Sequence, residues 1–130
     1  MANQRRTFLC IGAALLLGIF AGISVARADI TRWSSGDCKA IASGDHSYCT
    51  TEECKGVVRR DASYCSSNDC KGWARMDYSY CDSADCKGIA RKDKSYCQTN
   101  FCKAIASGDA SYCDDNVCKA IVRHDKSYCP

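Results

Sequence analysis

From Cys38 to Cys129 the cysteines are separated by gaps that alternate strictly between 11 and 5 residues, so the sequence repeats every 16. The six units begin at Cys38, Cys54, Cys70, Cys86, Cys102 and Cys118. A period this short and this regular restricts the chain to an array of small units, each burying its apolar side against its neighbours. Residues 38–130 therefore read as one repeat domain, with a truncated last unit and a lead-in at residues 29–37.

Residues 1–28 read as a signal peptide. Arg5 and Arg6 precede an apolar run from Thr7 to Val25, and Ala26-Arg27-Ala28 supplies the small residues of a cleavage site. Removing 28 of the 130 residues leaves 102, and takes three of the 18 basic residues and Cys10 with it. The remaining chain balances 15 Lys and Arg against 15 Asp and Glu and keeps an even twelve cysteines. A neutral balance argues against a nucleic-acid partner, whose binding requires a net positive face. Cleavage leaves no membrane-embedded segment. An even cysteine count in a small exported chain marks a disulfide framework and a secreted or periplasmic location. All four leucines (Leu9, Leu15, Leu16 and Leu17) belong to the signal, so the repeat domain has little aliphatic surface to bury, and cystine must take its place.

Within a unit, cysteine is followed at i+3 by Ile41, Val57, Trp73, Ile89, Ile105 or Ile121 and at i+4 by Ala or Val, which is one face of a helix. Ser35, Thr51, Ser67, Ser83, Thr99 and Asp115 stand three residues before the cysteines and suit helix N-caps. Asp45, Asp61, Asp77, Asp93, Asp109 and Asp125 lie mid-unit and suit the cap of a second short helix. The expected fold is all-α: six tandem helix-turn-helix units forming a small disulfide-stapled solenoid. A disulfide-bonded β-solenoid is the alternative. It needs period-2 alternation, which is weak here.

Two regular pairings suit the spacing. Pairing eleven apart, within units, gives Cys38–Cys49, Cys54–Cys65, Cys70–Cys81, Cys86–Cys97, Cys102–Cys113 and Cys118–Cys129. Pairing five apart, between units, leaves Cys38 and Cys129 without regular partners. The first is expected, since it uses every cysteine and closes the last unit at Cys129.

The row Tyr48, Tyr64, Tyr80, Tyr96, Tyr112 and Tyr128 is the candidate binding surface, for a protein or glycan partner. Its competing role is packing between units with the hydroxyls at the rim. The Lys39, Lys55, Lys71, Lys87, Lys103 and Lys119 row reads as a solvated face. The Ser-Tyr-Cys serines read as local hydrogen-bonding groups. No catalytic site, cofactor site or metal site is expected. No nucleophile–base pair or phosphate loop is present, no Cys-x-x-Cys occurs, and His46 and His124 occupy different unit positions. The expected function is an exported rigid binding or structural module. The alternatives are a thiolate copper- or zinc-binding protein and a secreted effector or inhibitor. The plan of disulfide-stapled helix pairs resembles in kind the secreted cysteine-rich helical repeat proteins. Their units are longer, and their Leu/Ala/Gly pattern is absent here, so the resemblance implies no site residue.

Overall fold

The computed structural model describes residues 29–130, so the signal-peptide assignment lies outside the described residues. Each unit opens with an α-helix: α1 Ser35–Ser43, α2 Glu52–Arg59, α3 Asn68–Arg75, α4 Ala84–Arg91, α5 Asn100–Ser107 and α6 Asn116–Arg123. Each α-helix is followed by one 3-10 turn, from His46–Tyr48 in the first unit to Lys126–Tyr128 in the last. The array is all-helical, and no strand forms among the described residues, which sets aside the β-solenoid.

The caps explain where each helix starts. Thr51, Ser67, Ser83, Thr99 and Asp115 each accept from the amide of the cysteine three residues on. In the first unit the cap is Ser34 rather than Ser35. Ser34 accepts from the Asp37 amide, while Ser35 Oγ donates to the Pro130 carbonyl instead. All six mid-unit aspartates cap the 3-10 turns, accepting from the serine amide two residues on at 2.9 Å. The second helix stops after three residues because its C-terminal cysteine turns extended (Cys65 φ −84°, ψ 131°) to reach the next unit.

The expected disulfides do not form. Cys38–Cys49, Cys54–Cys65, Cys70–Cys81, Cys86–Cys97, Cys102–Cys113 and Cys118–Cys129 are all replaced. The pairs are Cys49–Cys54, Cys65–Cys70, Cys81–Cys86, Cys97–Cys102 and Cys113–Cys118, with Cys38 bonded to Cys129. Helix geometry gives the reason. The helix turns about 100° per residue, so a cysteine and the residue two further on lie on opposite flanks. Cys70 bonds backwards to Cys65, while Gly72 faces forwards onto the Cys81–Cys86 cystine. Each α-helix is thus clasped between two cystines, and a bond within one unit would have to pass around the helix.

The Cys38–Cys129 bond closes the array. Counting five residues forward from Cys129 around six units of 16 returns to Cys38, so on a ring all six bonds are equivalent. The packing agrees: α1 touches α2 and α6, each of α2 to α5 touches its two sequence neighbours, and the last 3-10 turn packs on α1. The solenoid is therefore a closed ring of α-helices, with the 3-10 turns outside, in the grooves between them.

The bore is filled from one end. Ile30 is 4% exposed and belongs to the core cluster that runs through Val57, Trp73 and Ile89. Trp33 meets Trp73 edge to face at 5.8 Å, and Trp73 meets Phe101 at 6.3 Å. The lead-in thus supplies the large apolar groups that six short helices lack.

Candidate functional site

Two features of the ring are candidate recognition surfaces. The first is the outer tyrosine row. The structure places the six tyrosines at equivalent outer positions, each against a cation. Arg59, Arg75, Arg91 and Arg123 lie 5.2–5.3 Å from the ring centroids of Tyr64, Tyr80, Tyr96 and Tyr128, five residues on. Units one and five end their helices in Ser43 and Ser107 and lack that arginine. Their tyrosines are covered by lysines from the preceding unit: Lys126 lies 5.0 Å from Tyr48 and Lys94 5.1 Å from Tyr112. Lys126 precedes Tyr48 only because the ring is closed.

The same contacts carry hydrogen bonds. Arg91 donates to the Tyr96 hydroxyl at 2.8 Å, Arg123 to Tyr128 at 2.9 Å and Lys94 to Tyr112 at 2.9 Å. The Tyr112 hydroxyl holds the Lys94 ammonium above the usual lysine range, through its hydrogen bond first and its charge second. At one place the belt thickens. Arg91 also lies over the Tyr78 ring at 3.9 Å, and it is held above its ordinary value chiefly by the adjoining Tyr78 hydroxyl. Tyr78 is 48% exposed, Tyr96 41% and Tyr80 38%. Sequence reasoning found the tyrosines and missed their cations. Part of the signal was there: arginine stands five residues before tyrosine in four units and Lys94 eighteen before Tyr112, whereas the Lys126 partner of Tyr48 follows it by 78 residues and shows only once the ring is closed.

The second feature is axial. On the face where the α-helices end, a cavity of about 510 Å³ opens into the bore, walled by Ile41, Val57, Trp73, Ile105 and Ile121. On the opposite face a second cavity, of about 670 Å³, lies among the helix N-termini and is lined by Asp29, Asp69, Asp82 and Asp85. Two of those carboxylates are committed to structure. Asp69 accepts from the Asp82 and Ser83 amides at 2.8 and 3.0 Å, and Asp85 from the Gln98 amide at 2.6 Å. Asp37 and Glu53 do the same, each holding the start of the next unit. These acids tie unit to unit, a role beyond matching the helix dipole.

Four carboxylates lie beside cystine sulfurs, as in Asp85 with Cys97 and Cys102. Sulfur in a disulfide offers no thiolate, so these groups are not a metal site in the oxidised ring. In the lysine row, Lys55 pairs with Glu52 at 2.6 Å. Comparison with protein-family models, with curated proteins and with solved structures finds no match.

Proposed function

We infer that the protein is an exported binding module that holds a protein partner against its outer tyrosine–cation belt. The observation that carries this reading is the exposed cluster of Tyr78, Tyr80, Arg91 and Tyr96 on a covalently locked ring. Tyrosine and arginine are the side chains that anchor protein interfaces, because each brings much contact area at small entropic cost. A rigid ring adds to this, since little freedom remains to be lost on binding. A glycan is the weaker candidate, because sugar stacking needs bare ring faces and one face of each tyrosine carries a cation. Six disulfides fit an oxidising compartment, secreted or periplasmic. The thiolate-metal alternative requires a reduced chain, and all twelve cysteines of the described residues are in cystines.

The test is photo-crosslinking from position 80 in cells that export the protein, with position 55 on the lysine row as control. A discrete protein adduct from 80, absent from 55 and lost with Tyr78→Ala/Arg91→Ala, is the expected result. Its origin, in the producing cell's envelope or in another cell, separates a structural module from an effector. Adducts that ignore the belt substitutions, or none at all, overturn the reading.

A further inference from the structure

We propose that the axial well on the helix C-terminal face binds an amphipathic anion of the fatty-acid class, tail inward and carboxylate at the mouth. The well has the size and lining of a small-molecule site. Its volume of about 510 Å³ is within the usual range, and its walls are Ile41, Val57, Trp73, Ile105 and Ile121. It ends blindly, because Ile30 and Trp33 fill the bore from the other side. Branched aliphatic walls around a closed bore suit an alkyl chain.

The mouth sets the charge. The residues that leave the six helices are Gly44, Arg60, Met76, Lys92, Gly108 and His124. Three are basic, none is acidic, and the bases fall in every second unit around the ring. Arg60 and His124 line the well, and no carboxylate does. Their side chains make no hydrogen bond or ion pair among the described residues, unlike the belt cations. Both hold left-handed backbone, φ 55° and 54°, where Gly44 and Gly108 serve in sister units. Glycine is the undemanding residue there, so the bases are kept at a conformational cost. The opposite face, lined by carboxylates, would repel the same ligand.

Trp73 lines the well and Trp33 packs edge to face against it, so intrinsic fluorescence from these two, the only tryptophans of the sequence, reports occupancy. The experiment titrates the oxidised protein with laurate below its micelle concentration, with dodecyltrimethylammonium as the tail-matched cation and with phosphatidylglycerol vesicles. The decisive variant is Arg60→Gly/His124→Gly, which removes both basic side chains and suits the left-handed backbone, so the ring stays folded. Ile105→Phe narrows the well independently. Saturable laurate binding is expected, about tenfold tighter than the cation and about tenfold weakened by the double glycine variant. The proposal is overturned by equal binding of the two tails, or by laurate affinity indifferent to both variants. It is equally overturned by no saturation below about 1 mM, by binding of vesicles but not of free laurate, or by a face-to-face dimer in sedimentation.

Discussion

Four residues of the described chain other than glycine adopt positive φ, and all four stand at helix ends: Arg60, Met76, Lys92 and His124. Each closes a Schellman motif. In the fourth unit the Lys92 amide donates to Ile89 and the Asp93 amide to Gly88. The left-handed backbone costs a residue with a Cβ roughly 1–2 kcal/mol. Lys92→Gly therefore raises stability by about 1 kcal/mol, visible as a higher denaturation midpoint. An unchanged or lower midpoint contradicts the strain argument. The cap aspartates make a second, pH-dependent prediction. All six titrate below the usual 3.8, held down first by hydrogen bonds from the serine two residues on. A depressed folded pKa stabilises fully above the unfolded value and is lost as pH falls through the folded one. The thermal midpoint should therefore be level above the ordinary aspartate range and fall below it. Asp93→Ala should shallow that acid-side slope, and a slope identical to the parent's would dismiss the caps as its source.

At the scale of elements, the contact between neighbouring α-helices is a cystine against a small residue. A Cβ on Gly72 would lie 2.5 Å from Cys81 Sγ and 2.7 Å from Cys86 Sγ, too close for either to stay in place. Ala40, Ala104 and Ala120 occupy the equivalent position in other units and are fully buried, so a methyl is the largest group the seam accepts. Gly72→Val should cost about 1–3 kcal/mol by overpacking, and Gly72→Ala less. Urea denaturation of the two variants measures this; a valine variant as stable as the parent removes the cystine clasp as the packing rule. The 3-10 turns contribute through their tyrosines and cations instead.

For the whole molecule, ring closure is the decisive fact. A cystine stabilises in proportion to the logarithm of the loop it closes, in the chain-entropy picture. The five sequential bonds close loops of separation 5, whereas Cys38–Cys129 has separation 91. The first kind is worth about 2 kcal/mol each and the closing bond about 4–5 kcal/mol. Cys38→Ser/Cys129→Ser should therefore lose roughly twice the stability that Cys81→Ser/Cys86→Ser loses, and should uncover Lys126 and Tyr48. Equal losses, or a non-reduced peptide map that lacks a 38–129 crosslink, contradict the closed ring.

The amino-acid sequence alone determined the unit, its helix, its two caps and the reliance on sulfur, because these are set by residues within about sixteen positions of one another. It also displayed the tyrosine row, since identical units present identical side chains. It pointed to the wrong disulfide partners, because eleven and five are both regular spacings along a line and only the eleven-apart pairing leaves no odd end there. Only the tertiary structure brought the first and last units together, and on a circle Cys38 and Cys129 cease to be odd ends. That same closure gave Tyr48 its cation and made an axial well out of the Ile, Val and Trp row. Spacing fixes which side of a helix a residue occupies; the curvature summed over six helices decides what it meets.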